Sequence, residues 1–256
     1  MNRIMEHLMP GSARILLNAD LGEGGNADSA LMPLIDIANV ACGAHAGNES
    51  TMQASVELAM QHSVIVSAHP AYPDRENFGR KSIPLPESAL CESITRQIDR
   101  VRKHLRAAGE TLTLVKPHGA LYNDCAEDEQ LATLFLTAMC SADENLAVIA
   151  LANSALHNAA IARQIPCYAE GFADRRYLAS GMLAPRSAAG ACIVSADEAL
   201  AQARQVATGA TISTLDGAGL CRRVKTICVH GDNPNALQIA EVLAAQYKYG
   251  TPCAWA

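Results

Sequence analysis

The chain has 256 residues, 50% of them hydrophobic and 18% charged, with a formal net charge of −6. That length suits one large domain or two small ones, and the acidic balance argues against nucleic acid as a partner. No apolar stretch approaches the roughly 18–20 residues of a membrane-spanning helix, so no membrane is expected as a partner either.

Residues 1–13 read as a short N-terminal tail with neither signal nor transit peptide. The first strand is Arg14-Ile15-Leu16-Leu17-Asn18-Ala19-Asp20, apolar until it turns polar at its carboxyl end. A glycine-rich loop over residues 21–26 follows and lacks both the GxGxxG and the Walker spacing of nucleotide sites. Residues 35–42 predict a second strand, ending at Gly43-Ala44-His45. Asn48 or Ser50 can cap the helix behind it, with Met52, Val56, Ala59 and Met60 on its inner face. Residues 64–69 predict a third strand that ends on His69, before a polar, proline-containing loop over residues 71–80. Pro86 opens a long helix in which Leu90, Ile94, Ile98, Val101 and Leu105 recur at helical spacing, and Gly109 stops it.

The apolar run 112–115 then ends on Lys116-Pro117-His118-Gly119. Lys116 and His118 are two residues apart, so they share a side if the strand persists. A helix near 127–140, an apolar run over 146–151, a helix near 154–164 and a strand over 165–170 come next. Phe172-Ala173-Asp174-Arg175-Arg176-Tyr177 is the loop after that strand, and residues 181–186 continue irregularly. An alanine-rich helix over 197–207 leads to a hairpin turning at Asp216-Gly217, with arms over 211–213 and 221–224. A last strand over 225–230 ends on His230, and Asn233-Pro234 starts the last helix.

About seven strands alternating with helices imply parallel pairing and a single α/β domain over residues 14–256. An open doubly wound sheet would gather its ligand groups at one switch point. Here nearly every strand ends in polar residues, which favours a barrel with its site at the carboxyl rim. The nine cysteines form no CxxC pair. Most, such as Cys140, Cys167, Cys192 and Cys228, lie in apolar contexts that suit reduced, buried thiols and a cytoplasmic protein.

The strand ends collect Asn18, Asp20, Glu23, His45, His69, Asp74, Lys116, His118, Glu170, Asp174, His230 and Asp232. A single histidine at such a place is often only packed, but four of the eight in the chain lie at strand ends. Asp20, His45 and His69 could bind a divalent metal and activate water, although no HxH or HExxH spacing marks them. Otherwise Asp20, His45, His69, Lys116, His118 and Glu170 form a catalytic set of general acids and bases. Lys116 would then hold a carboxylate or polarise a carbonyl. Lys116 could equally form a buried ion pair with Asp20 or Glu170. Asn18, Arg80, Asp174, Arg186, His230 and Asp232 are candidate substrate-binding residues. The two arginines suit a bidentate anion clamp, or they are solvated loop charges. No GxSxG elbow supports an acyl-serine mechanism.

Several stretches resemble, in order from about Ile15 to Ala245, the motifs of the LamB/YcsF family. They are Asn18-Ala19-Asp20-Leu21-Gly22-Glu23, residues 38–47, Ala68-His69-Pro70-Ala71-Tyr72-Pro73-Asp74, Phe78-Gly79-Arg80, residues 115–123, Phe172-Ala173-Asp174-Arg175 with Tyr177, and Thr226-Ile227-Cys228-Val229-His230-Gly231-Asp232. The resemblance implies a distorted seven-stranded parallel β/α barrel of the polysaccharide-deacetylase type. It also implies an activity, the opening of 5-oxoproline to L-glutamate with hydrolysis of ATP to ADP and phosphate. In that activity the chain would serve as the A component of a 5-oxoprolinase, beside subunits B and C. The alternatives are a stand-alone metal-dependent amidohydrolase or deacetylase, and a non-catalytic regulatory subunit. The chain departs from the family pattern at Gly24-Gly25-Asn26, at Asn48-Glu49 and at Gly171.

Overall fold

The computed structural model describes residues 14–25 and 27–249, so the tail expected over residues 1–13 lies outside the described residues. Seven strands close into a parallel barrel: β1 (Leu16–Leu21), β2 (Ile37–Ala41), β3 (Ile65–His69), β4 (Leu114–Val115), β5 (Ala147–Leu151), β6 (Cys167–Phe172) and the strand Thr226–Val229, which pairs with both β6 and β1. A separate antiparallel hairpin, β7 (Thr211–Ser213) and β8 (Gly219–Cys221), precedes that last strand, which is therefore β9. The hairpin turns where expected, but its second arm lies nearer the turn than residues 221–224.

Helices cross between successive strands, as parallel pairing requires. They are α1 (Asp28–Leu31), α2 (Glu49–Gln61), α3 (Glu87–Ala107), α4 (Gly119–Glu127), α5 (Glu129–Ala142), α6 (Ala155–Ala162), α7 (Ala196–Thr208) and α8 (Ala236–Leu243). Asn48 caps α2 through a full capping box with Thr51. The last helix starts later than Asn233-Pro234. Asn233 instead accepts from the Asn235 N–H and so organises the turn before α8. Sequence reading passes over α4, whose nine residues are too few to show a long periodicity. Its first residue, Gly119, has φ of 57°, and a Cβ there would sit 2.5 Å from the Gly79 carbonyl oxygen. Only glycine admits that entry.

The barrel interior follows the two-residue period of its strands. At the amino end Leu16, Ile37, Leu114, Ala147, Ile149 and Tyr168 form a small apolar plug, distinct from the large core between barrel and helices. Two residues further along come Asn18, Asn39, Lys116 and Glu170, all buried and joined to one another. Two further still come Asp20 and His118, at the carboxyl end. Lys116 and His118 keep the alternation although β4 ends at Val115. Their amides continue the ladder to the carbonyls of Ala68 and Pro70, at 2.9 and 2.8 Å.

The eight described cysteines are all free thiols. Cys228 is buried as expected, but Cys140 and Cys167 are half-buried and Cys192 is exposed, lying between the buried Ala191 and Ile193 on an irregular loop.

Candidate active site

The polar layer of the barrel is built around Lys116. Its ammonium lies 3.1 Å from Asn18 Oδ1, 3.1 Å from Asp20 Oδ1, 2.9 Å from Glu170 Oε1 and 3.2 Å from Cys228 Sγ. Glu170 also accepts from Asn18 Nδ2 at 2.8 Å and from the Tyr122 hydroxyl at 2.6 Å. Asn39 Nδ2 bridges Asn18 Oδ1 and Asp20 Oδ1, and Thr226 Oγ1 accepts from Asn18 and donates to the Leu16 carbonyl. Burial alone would discharge Lys116, but Asp20, with Cys228 and Glu170, holds its pKa well above the ordinary lysine value. Burial works against Asp20 in the same way, and His69 and Lys116 outweigh it, so that carboxyl stays well below the usual range.

Above this floor lies a group of lone pairs. His69 Nδ1 is 2.8 Å from the Lys116 carbonyl, an acceptor only, so this nitrogen carries the hydrogen. His118 Nε2 is 3.0 Å from the Phe78 carbonyl and is hydrogen-bearing for the same reason. Phe78 itself is held at φ of 57°, in the left-handed region, and that turn aims its carbonyl. The remaining nitrogens, His69 Nε2 and His118 Nδ1, then face each other at 3.0 Å, with Asp20 Oδ1 3.4 Å from the first and Glu23 Oε1 3.3 Å from the second. Burial, with His45 and His69 beside it, holds His118 well below the ordinary histidine pKa, and burial and Asp20 raise Glu23 to about 7.

His69 Nε2, His118 Nδ1 and carboxylate oxygens of Asp20 and Glu23 lie within 4.8 Å of one another, a donor set able to hold a metal cation. Mixed nitrogen and oxygen donors suit a divalent transition metal such as zinc better than calcium or magnesium. A second candidate set, Asp20, Cys228 and His230, is a poorer fit. The Lys116 ammonium already lies between Asp20 and Cys228 and supplies the positive charge there.

The cavity above these groups measures about 440 Å³, and its outer wall is basic. Asp232 accepts from Arg80 at 2.6 Å and from Arg186 at 3.0 Å. On the same side His230 Nδ1 donates to Asp174 Oδ1 at 2.9 Å, and its ring stacks on Phe172 at 5.4 Å and 16°. The Asp174 bond leaves His230 Nε2 as the nitrogen with a free lone pair when the ring is neutral.

Residues 15–251 match the LamB/YcsF family model. The chain belongs to the LamB/YcsF family. Two relatives from Haemophilus influenzae, strains PittEE and 86-028NP, each named as the A subunit of 5-oxoprolinase, are 38% identical over 228 residues, covering 89% of this chain and 93% of theirs. A solved structure, described as the lactam utilization protein from Thermus thermophilus, superposes with a TM-score of 0.82 at 34% identity and covers 92% of this chain and 96% of that one.

Within the LamB/YcsF barrel the candidate residues fall into three places. Asp20, His69, Lys116, His118, His230, Arg80, Arg186 and Asp232 border the cavity. Asn18, Glu170 and Asp174 lie behind it, each no more than 1% exposed, and act through Lys116, Tyr122 and His230. His45 leaves the expected metal set. It stacks flat on His118 at 3.8 Å and reaches Glu23 through Nε2 at 3.2 Å, while Glu23 and His118 stand in its place beside Asp20 and His69. Burial pushes the His45 pKa down to about 3, which keeps the stack neutral.

Asn39, Tyr122, Thr226 and Cys228 belong to the site and are not in the candidate set. Asn39 had a signal, being the one amide in an otherwise apolar buried strand. Tyr122 had another, since it lies one helical turn beyond His118.

Proposed function

We propose that this chain is the A component of an ATP-dependent 5-oxoprolinase, acting in the cytoplasm with subunits B and C. The assembly would open the lactam of 5-oxoproline to L-glutamate as ATP is hydrolysed to ADP and phosphate. The observation that carries this reading is the 38% identity, over nearly the whole of both chains, with proteins named as the A subunit of 5-oxoprolinase.

The site chemistry fits such a substrate. An unstrained amide is a poor electrophile, and phosphorylating its carbonyl oxygen makes ring opening feasible, which is the natural use of ATP. A divalent cation held by Asp20, Glu23, His69 and His118 would supply Lewis acidity toward a carbonyl or a water molecule. The residues of the chain do the rest. Arg80 and Arg186 offer guanidinium forks to the substrate carboxylate. Lys116 is only 2% exposed and engaged by four partners, so it positions Asp20 rather than touching substrate. His230, oriented by Asp174, accepts or delivers a proton at Nε2.

The test is glutamate formation from 5-oxoproline with ATP, with and without subunits B and C. Turnover only in the full mixture supports the reading, and no turnover in any mixture sinks it. A second reading, a stand-alone metal-dependent amidohydrolase, is favoured by the converging donor set alone, and ring opening without ATP would select it. Full coupled turnover by a folded His230→Ala assembly would remove the proton role and point to a regulatory subunit.

A further inference from the structure

Three guanidiniums border the cavity, and Asp232 is the one carboxylate within ion-pair distance of any of them among the described residues. Arg80 and Arg186 share Asp232. Arg175, which also borders the cavity, is 7% exposed and has no carboxylate partner among the described residues. Its Nη2 donates to the Ala184 carbonyl at 2.7 Å, and its Nε has no partner among the described residues. A guanidinium does not lose its charge under ordinary conditions; Asp174 and Asp232 favour the charge of this one from beyond ion-pair distance, and neither bonds it directly.

Arg222 makes the contrast. It is also buried, at 3% exposure, but it donates to two carbonyls, those of Ala152 and Gly181, covers the Tyr177 ring at 5.1 Å and does not border the cavity. Arg222 ties loops together. Both arginines leave Nε without a partner among the described residues, but Arg175 spends its guanidinium on a single carbonyl and does so at the cavity wall. Its backbone is fixed by Gln202, whose Nε2 donates to the Arg175 carbonyl at 2.8 Å, and its Ala184 contact lies two residues before Arg186. Arg186 also pushes the Arg175 pKa down, after burial, as expected for like charges set side by side.

We infer that Arg175 is the buried anchor of an oxyanion subsite in the cavity wall, completed by Arg186 and Arg80. The ligand class is a carboxylate or a phosphoryl group, because both present the paired oxygens that a guanidinium fork matches. The subsite stands on the arginines alone. Assigning it to the 5-oxoproline carboxylate or to a nucleotide phosphate rests on the function proposed above.

The experiment titrates the full-length chain calorimetrically with 5-oxoproline, with its neutral carboxamide, and with inorganic phosphate. The titrations are repeated on Arg175→Lys and Arg175→Met, with circular dichroism to check folding. We expect at least one anion to bind the native chain, the carboxamide to fail, and both variants to bind about tenfold or more weakly, a loss of about 1.4 kcal/mol. Arg175-dependent binding of 5-oxoproline identifies the carboxylate. Arg175-dependent binding of phosphate without 5-oxoproline upholds the subsite and removes the lactam from it. Binding of 5-oxoproline unchanged in both variants overturns the subsite and leaves the proposed function intact, and a native chain that binds neither anion also overturns it. Should the Arg175 variants not fold, Arg186→Lys carries the test, with undiminished binding again overturning the inference.

Discussion

The floor and the mouth of the cavity are both ionic, yet they are built on opposite terms. At the floor Lys116, Glu170, Asn18 and Asn39 are sealed from solvent, and the Lys116 ammonium and Glu170 carboxylate have their hydrogen-bonding positions filled by one another, by Asp20 and by Tyr122. At the mouth Arg80, Arg186 and Asp232 are a third or more exposed, and Arg175 is under-partnered. Groups whose bonds are filled, as at Lys116 and Glu170, hold one arrangement and resist ligands, whereas under-partnered ones are available to them. The difference separates groups that position from groups that bind, although the sequence marks both simply as polar residues at or beyond strand ends.

The largest break in that comparison should come from the floor. Lys116→Met leaves the buried carboxylates of Asp20 and Glu170 facing each other without a cation. It should destabilise the chain by about 3–5 kcal/mol, read from the urea midpoint. Adding Glu170→Gln should restore part of the loss. A double variant no more stable than the single one would mean that the pair is not coupled.

Next comes the donor set between floor and mouth. Native chain exposed to zinc and then desalted should retain about one equivalent, as a site with four converging donors would. His69→Ala and His118→Ala should not, and His45→Phe should lose affinity less than either. Equal metal content in all four proteins would refute the assignment.

The mouth should behave differently. Arg80→Ala and Arg186→Ala should each change stability by less than about 1 kcal/mol, as exposed ion pairs do. In the coupled assay they should raise KM for 5-oxoproline with a smaller change in kcat. A stability loss as large as that of Lys116→Met would erase the distinction between the two regions.

A subtler difference concerns acid. Burial opposes the charge of Asp174, but His230 outweighs it. Burial likewise opposes Asp232, and Arg186, His230 and Arg80 outweigh it, so both carboxyls titrate below their ordinary value. A depressed carboxyl lends stability that is complete above its unfolded pKa of about 3.9 and is lost as pH falls through the folded value. Denaturation midpoints should therefore owe these two residues nothing further above about pH 5 and should decline below about pH 4. Asp232→Asn should flatten part of that decline.

The smallest effect is chemical. Cys192 and Cys221 are exposed and should react with a thiol reagent in the native state, whereas burial raises the Cys42 thiol to about 12 and should spare it until unfolding.

Much of this was legible in the residues. The barrel could be read from apolar runs that end polar, because the two-residue period of a strand carries each run from the plug to the rim. The motif residues Asp20, His69, Lys116 and His118 do converge, as their shared position at strand ends implied. The reading took His45 rather than His118 as a metal candidate, and the donor set has His118 instead. Both end a strand on an imidazole, and only the Phe78 turn and the flat stack of the two rings decide which nitrogen faces Asp20 and Glu23. Arg175 was equally opaque, since nothing local tells a guanidinium that ties two carbonyls away from the cavity, as Arg222 does, from one at the cavity wall that ties a single carbonyl.

The closure of the barrel carries a consequence for the order of assembly. Strand β9 is the last of the ring in sequence and inserts between β6 and β1, bringing Thr226, Cys228, His230 and Asp232 with it. A nascent chain short of that strand has an open sheet, a lysine lacking the Cys228 contact, and no carboxylate between Arg80 and Arg186. Such long-range pairings form late in folding. Closure of the ring therefore also delivers Cys228, His230 and Asp232 to the pocket, in one event.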